Sequence, residues 1–216
     1  MAGDPGRRRR GFTLLELLVA LVILSAIAGG VAVGIRLASG SIERGEAVAR
    51  ESARLRAAVG IVERAIRSLD PLPVAVEDNT TFYFVGEEKR LRFLSGAVPE
   101  TIRGGGLRLV SFFELRDAPG AGLAIATASP FRPEGVGGWD GDDSPRLLVP
   151  GAGELAFAYS IGPDENGAWE WRPAWDTREE GRLPAAVRVE FSVPAAAGPR
   201  KTAFVVPIPV AGGGGG

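Results

Sequence analysis

The chain has 216 residues, 45% of them hydrophobic, which is enough for one domain with a packed core plus an appendage. It contains neither cysteine nor histidine, which excludes disulfides, thiolate or imidazole metal ligands, and catalysis by a thiol or an imidazole. A formal net charge of −1 gives the whole chain no polyanion-binding character, and its 31 glycines and 16 prolines favour strands and turns over a helical bundle.

The N-terminal segment is basic and then strongly apolar. Arg7–Arg10 and Gly11 precede a stretch from Phe12 to Ile35 in which Glu16 is the single charged residue. The uncharged part, Leu17–Ile35, would be about 28 Å long as a helix, which is close to the hydrocarbon thickness of a bilayer. The arginines predict a cytoplasmic N-terminus, with the rest of the chain on the far side of the inner membrane. We therefore interpret the basic run as a topology signal and expect no nucleic acid partner.

The position of Gly11 distinguishes this segment from a secretory signal. Such signals place their small residues after the apolar stretch, whereas Gly11 precedes it. A cut between Gly11 and Phe12 would remove the arginines, keep the apolar helix and leave a new amino terminus four residues from Glu16. A carboxylate inside a membrane costs about 2.5–3.5 kcal/mol and implies a functional partner. The obvious partner is the α-ammonium group of an adjacent copy or a related subunit.

The run RGFTLLELLVAL, residues 10–21, resembles the cleavage and N-methylation motif of type IV pilins and type II secretion pseudopilins. The resemblance implies that prepilin peptidase cuts after Gly11 and that the amine of Phe12 is methylated. It also implies that Glu16 pairs with the N-terminus of a neighbouring subunit during filament assembly. The alternative is a plain signal anchor that contains a glutamate.

One long helix is expected next, because no proline occurs between Phe12 and Leu69. Its second half has an apolar stripe at helical spacing, formed by Val48, Leu55, Val59, Val62, Ile66 and Leu69. Asp70-Pro71 should end the helix. The pair Gly29-Gly30 has two interpretations: close helix packing in the bilayer, or a weak point that bends when the subunit enters a filament.

Beyond Pro73 the pattern predicts strands between turns. Two hairpins are expected, one from 80–85 with 90–94 and one from 107–115 with 123–127. Further strands are predicted at 146–149, 154–161, 168–172, 185–193 and 202–207. A long helix followed by antiparallel strands predicts an α+β fold. The resemblance makes it pilin-like, with the membrane half and the amphipathic half of the helix followed by antiparallel sheet.

These observations divide the chain into five segments. They are a leader peptide removed by prepilin peptidase (1–11), a transmembrane and assembly helix (12–36), its amphipathic continuation (37–70), a periplasmic β-rich pseudopilin domain (71–211) and a disordered glycine tail (212–216).

The order of aromatic and apolar residues in 147–159, 169–176 and 183–189 resembles the minor pseudopilins called general secretion pathway protein J. The resemblance implies a minor pseudopilin of a type II secretion system, in the tip complex that initiates pseudopilus assembly and supports export of folded proteins across the outer membrane. The implied partners are I-type and K-type minor pseudopilins, the major pseudopilin, prepilin peptidase and the inner-membrane assembly platform. The implied location is the bacterial inner membrane, with a single pass and a periplasmic C-terminal domain. Neither catalysis nor a cofactor is expected.

Two other functions remain open from the sequence. One is a minor pilin of a type IV pilus that acts in adhesion or motility. The other is a membrane-tethered periplasmic binding protein that uses its tryptophans, which could instead belong to the core or to a subunit interface; these are Trp139, Trp169, Trp171 and Trp175. The acidic turns 140–143 and 164–166 invite a calcium hypothesis, but their spacing does not match an EF-hand loop. We interpret them as solvated turns and predict no metal site.

Overall fold

The computed structural model describes residues 14–76, 79–98, 106–116, 120–131, 139–140, 144–195 and 198–209. The chain divides into two compact units, with the boundary between Ala53 and Arg54. Helix α1 (Leu14–Arg67) contributes residues to both units, and antiparallel strands follow it in the second unit. The predicted α+β, pilin-like class is thus confirmed.

In the first unit the described residues form the N-terminal part of α1. Gly29 and Gly30 lie within the helix, and a Cβ atom added at either position would meet no other atom within 4 Å. The glycine pair does not interrupt the helix, and its two interpretations both stay predictions. The prediction that Val48 belongs to a buried apolar stripe is wrong, because 67% of this residue is exposed.

In the second unit the C-terminal part of α1 buries the rest of the stripe. Val62 and Ile66 are fully buried, as is Ala65 between them, while Leu55 and Val59 pack at the edge of the core. The helix ends two residues before the predicted Leu69, whose N–H bonds to the carbonyl of Ile66 in a tighter last turn (3.1 Å).

Ser95 ties the end of α1 to the sheet. Its hydroxyl lies 2.9 Å from the carbonyl oxygen of Ala65 and 3.2 Å from that of Ser68. Ser95 also forms a β-bridge with Leu69. Carbonyls of the last helical turn lack partners within the helix, so this buried serine satisfies groups that would otherwise be costly to bury.

The strands form two sheets and a ribbon, all antiparallel. The elements are β1 (Pro73–Val76), β2 (Asn79–Phe82), β3 (Phe84–Gly86), β4 (Arg90–Ser95), β5 (Arg108–Leu115), β6 (Gly122–Ala128), β7 (Arg146–Pro150), β8 (Gly153–Ser160), β9 (Trp175–Asp176), the short helix α2 (Thr177–Glu180), β10 (Ala186–Val193) and β11 (Arg200–Pro207). One sheet has the order β7-β6-β5-β4-β3-β9, the second has the order β11-β10-β8, and β1 pairs with β2.

The predicted hairpin of 107–115 with 123–127 is present, the hairpin of 80–85 with 90–94 is present only from Phe84 onward, and two strand predictions are wrong. The strand predicted at 80–85 is divided at Tyr83: β2 pairs with β1, whereas β3 pairs with β4 and β9. The hydroxyl of Thr177 bonds to the carbonyls of Phe82 and Phe84 on either side of this break. The segment predicted as a strand at 168–172 is irregular: it makes only isolated bridges, from Trp169 to Pro163 and from Arg172 to Tyr159.

The main core of the second unit lies where α1, the six-stranded sheet and the three-stranded sheet meet. The larger sheet contributes Phe93 and Phe112, and the smaller sheet contributes Phe157 and Val189, all fully buried. A second cluster on the opposite face of the larger sheet includes Trp139. Both faces of the larger sheet are thus apolar, which explains why β6 is buried along its whole length.

Candidate functional site

The N-terminal part of α1 is an exposed apolar helix. Leu14–Ile35 is 22 residues long, has a mean hydropathy of 2.6 and has none of its side chains buried. Individual side chains are exposed by up to 81%, the value for Leu14. Soluble monomers rarely expose continuous apolar surfaces of this extent, and the length and composition suffice to cross a membrane. This segment therefore requires lipid or other apolar helices around it.

Ser25 is a polar residue within this segment. Its hydroxyl donates a hydrogen bond to the carbonyl oxygen of Leu21 one turn earlier, at 2.8 Å. A hydroxyl that bonds to its own helix needs no water. Ser25 is therefore compatible with a hydrocarbon environment.

Glu16 is the exposed carboxylate of this segment and lies in the first turn of α1. The positive end of the helix dipole favours a negative charge there. No lysine or arginine occurs between Glu16 and Ile35. Gly11 and Phe12, the other two predicted site residues, lie outside the described residues. The cleavage, methylation and pairing roles of these three residues therefore stay predictions.

The four tryptophans separate into a buried pair and a surface pair. Trp139 and Trp175 are 1% and 2% exposed, and the indole N–H of Trp175 donates to the carbonyl of Arg182 at 3.0 Å. Trp169 and Trp171 stack on each other, with ring centroids 5.6 Å apart and 14° between their planes, and 44% of Trp169 is exposed. The buried pair belongs to the core, and the surface pair forms an aromatic patch.

The third member of this patch, Arg188, was not predicted from the sequence. The guanidinium group of Arg188 lies 4.9 Å from the ring centre of Trp171, on the outer face of β10. Such a contact favours a cation over an indole face. Seventeen residues separate the two positions, and no periodic signal links a loop tryptophan to a strand arginine.

A shallow depression lies beside Trp171. It has a volume of about 220 Å³, below the range of roughly 300–1,000 Å³ that is typical of small-molecule sites. Its two guanidinium groups face carboxylates: Nε of Arg188 lies 2.9 Å from Glu190, and Nη1 of Arg172 lies 3.4 Å from Glu180. With a small volume and balanced charge, the depression gives little support to the binding-protein hypothesis.

The calcium hypothesis concerned two acidic turns, 164–166 and 140–143, of which the structure describes the first completely and the second only at Asp140. The carboxylate of Asp164 accepts hydrogen bonds from the N–H groups of Asn166 and Ala168, both at 2.8 Å, so this side chain stabilises its own turn. In the turn 140–143, the main-chain oxygen of Asp140 accepts a bond from Arg90, and residues 141–143 lie outside the described residues. Across the described ranges, no three acidic side chains come close enough together to hold a metal ion.

The similarity to known proteins covers both units. The prokaryotic N-terminal methylation motif matches residues 6–32, the segment that contains Gly11, Phe12 and Glu16. Type II secretion system protein J of Xanthomonas campestris pv. campestris is 31% identical over 215 residues, which cover 96% of this chain and 97% of that protein. The apolar helix Leu14–Ile35 and this relative fit a protein anchored in the inner membrane. Since the identity extends far beyond the N-terminal helix, the chain belongs to the type II secretion system protein J family and is a minor pseudopilin.

Proposed function

We propose that this minor pseudopilin is a subunit of the tip complex that initiates pseudopilus assembly and so supports the export of folded proteins across the outer membrane. The observation that carries the proposal is the exposed apolar helix Leu14–Ile35 with Glu16 in its first turn, directly after the methylation motif. A helix of this kind has to be buried against lipid or neighbouring helices. Neither alternative function, a type IV pilin or a tethered binding protein, is better supported.

Processing prepares this helix for assembly. Prepilin peptidase cuts after Gly11, which removes Arg7–Arg10, and the new amine of Phe12 is then methylated. The amine of one subunit pairs with Glu16 of another, which offsets the roughly 2.5–3.5 kcal/mol that an unpaired carboxylate costs within a membrane. Pairing between two chains makes membrane burial of Glu16 more favourable in the assembly.

The remaining proposals concern location and partners. The arginines before the helix favour a single pass with the second unit in the periplasm. There the partners are I-type and K-type minor pseudopilins and the major pseudopilin, while prepilin peptidase and the assembly platform act at the inner membrane. We propose a structural role without catalysis or cofactor, since the chain supplies neither thiol nor imidazole.

The first experiment measures the N-terminus in a native host with and without active prepilin peptidase. We expect the intact mass and N-terminal sequence to start at methylated Phe12 when the peptidase is active, and to retain Arg7–Arg10 when it is not. The same N-terminus in both strains would refute the processing step and, with it, the assignment to a pseudopilus.

The second experiment compares Glu16→Gln with Glu16→Asp in the full chain. Glutamine keeps the size of the side chain and removes its charge, whereas aspartate keeps the charge. Both variants should insert and be cleaved, but Glu16→Gln should co-purify with the other minor pseudopilins far less than Glu16→Asp. Equal recovery of all partners with the glutamine variant would eliminate charge pairing as the mechanism.

A further inference from the structure

The two edge strands of the three-stranded sheet, β8 and β11, differ in whether their outward N–H groups are hydrogen-bonded. At the outer edge of β8, the N–H groups of Leu155, Phe157 and Tyr159 point away from β10. They donate to the carboxylate of Glu114 (3.3 Å) and to the carbonyls of Glu88 (2.8 Å) and Arg172 (2.8 Å), respectively. The protein thus satisfies the outward donors of this edge internally.

Within the part of the chain that the structure describes, no strand pairs with the outer edge of β11. The N–H of Ile208 bonds to the carbonyl of Ala185, at 2.8 Å, and β11 pairs with β10 in one unbroken register over its eight residues. Main-chain groups alternate in direction along a strand, so the N–H groups of Lys201, Ala203 and Val205 point away from β10. Among the described residues these three donors have no hydrogen-bond partner.

The edges of the larger sheet are protected in ways that β11 is not. At one edge, the pairing of β7 with β6 shifts in register between Leu123 and Ala124. At the other edge, β9 is two residues long. Bulges and short strands protect an edge against pairing with another chain, and β11 has neither, although it ends at Pro207 as β7 ends at Pro150. A regular eight-residue edge strand is instead a template for strand addition.

The side chains along β11 define what the edge can accept. Its exposed face carries Ala203 and Val205, the latter 45% exposed. At its start, Arg200 and Lys201 lie opposite Val193 and Ser192 of β10, so neither cation faces a carboxylate. Within the described ranges neither forms an ion pair. The edge therefore matches an extended main chain with small apolar residues in the middle and carboxylates near positions 200–201.

We propose that the outer edge of β11 binds an extended, carboxylate-bearing segment of a neighbouring pseudopilin, which adds to the sheet as a fourth strand. The inference rests on the proposed function, because it supplies the surface by which this subunit joins its complex. Main-chain hydrogen bonds provide the affinity, and the cations at the start of the strand select an acidic partner segment.

The decisive variant is Val205→Pro in the full-length chain. Proline removes the outward N–H of position 205 and leaves the hydrogen bonds to β10 intact, and edge strands tolerate it. Val205→Thr is the matched control, because threonine keeps the N–H and the branched shape. Binding is measured in detergent micelles with purified I-type, K-type and major pseudopilins as probes. We expect Val205→Pro to weaken binding of one probe about tenfold or more and Val205→Thr to leave it within about twofold.

A charge-reversal variant covers the case in which proline disturbs the fold. Arg200→Glu with Lys201→Glu keeps every main-chain group and should weaken the same complex, most strongly at low ionic strength. The urea midpoint by tryptophan fluorescence shows whether each variant is folded.

Hydrogen exchange resolves the strand residue by residue. In the chain alone, the amides of residues 201, 203 and 205 should exchange fast and those of 202, 204 and 206 slowly; in the complex all six should be slow. If all three probes leave the odd-numbered amides unprotected, the inference is overturned. It is also overturned if those amides become protected in the chain alone as its concentration rises, because the occupant is then a second copy. If either of these results is obtained while the chain is still processed and assembled normally in cells, the proposed function is unaffected and only the strand-addition inference is refuted.

Discussion

Replacing Gly86 with alanine tests the contact between β3 and β8, because an added methyl group would overlap the ring of Tyr159. A Cβ atom at Gly86 would lie 2.3 Å from Cζ, 2.6 Å from Cε1 and 2.7 Å from the hydroxyl oxygen of Tyr159. These distances are far below van der Waals contact. Gly86 is therefore required here for close approach.

The ring of Tyr159 has little freedom to move aside. It is fully buried and packs edge-on against Phe84, with centroids 5.8 Å apart. Its hydroxyl donates to the carbonyl of Glu87 at 3.0 Å. Burial, and after it the negative charge of Glu87, raises the pKa of Tyr159 well above its ordinary value, so the hydroxyl stays protonated as a donor.

The expected cost of Gly86→Ala follows from this geometry. Overpacking a core costs about 1–3 kcal/mol, and the short distances place this site at the upper end. Alanine also restricts the unfolded chain, which returns about 0.4–1 kcal/mol. We expect a net loss of about 2 kcal/mol, which corresponds to a fall of about 4–8 °C in Tm.

The assay is urea unfolding of the full chain in detergent micelles, followed by tryptophan fluorescence. All four tryptophans lie between residues 139 and 175, so the signal reports on the second unit. Gly96→Ala is the matched control, because a Cβ there meets nothing within 4 Å. Tyr159→Leu removes the overlapping ring atoms, so Gly86→Ala should cost much less in that background. Equal losses in the two backgrounds, or a Gly86→Ala variant as stable as Gly96→Ala, would refute the reasoning.

Three further predictions use the same unfolding assay. Gly60→Ala should raise the stability by about 0.5–1 kcal/mol, since Gly60 lies inside α1 with open space around its missing Cβ; a loss would show a close neighbour at that position. Glu154→Gly should stabilise by a few tenths of a kcal/mol up to about 1 kcal/mol, because Glu154 has a φ of 54°; any destabilisation would contradict the strain. Partial burial raises the pKa of Asp176, but hydrogen bonds and the charge of Arg178 outweigh it, so the net pKa is lowered. The stabilisation from this carboxylate should be fully present above the unfolded pKa of about 3.9 and be lost as pH falls through the folded value. Asp176→Asn keeps a good N-cap but cannot titrate, so the stability advantage of the wild type over this variant should shrink as pH falls from 5 to below the folded pKa of Asp176; parallel pH curves for both chains would rule this out.

Much of the fold was predictable because its signals are local. The apolar stripe of α1 includes Val62 and Ile66, which are buried, and the strand predicted at 185–193 corresponds to β10, whose Val187 and Val189 are buried. The break at Tyr83 was not predictable, because β2 and β3 read as one strand and part only through their different partners. The strands β1 and β9 were not predicted, because strands of four and two residues are too short to show an alternation of apolar and polar residues.

The candidate site likewise has some features that the sequence indicates and others that only the fold creates. The motif residues Gly11, Phe12 and Glu16 lie close together in the sequence, so their proposed roles can be read from the order of residues. The sequence does not indicate which strands become neighbours. That choice brings Arg188 onto Trp171, and it covers the edge of β8 while leaving the edge of β11 without a neighbouring strand among the described residues.

The sequence by itself therefore determined the membrane helix, its acidic residue and the α+β class, because hydropathy and periodicity are properties of adjacent residues. Only the tertiary structure decided which tryptophans are buried, why a side chain at Gly86 would overlap Tyr159, and which strand edge has no neighbouring strand among the described residues. Each of these depends on contacts between residues far apart in the chain, and such contacts are fixed by the packing of the whole unit rather than by any local preference.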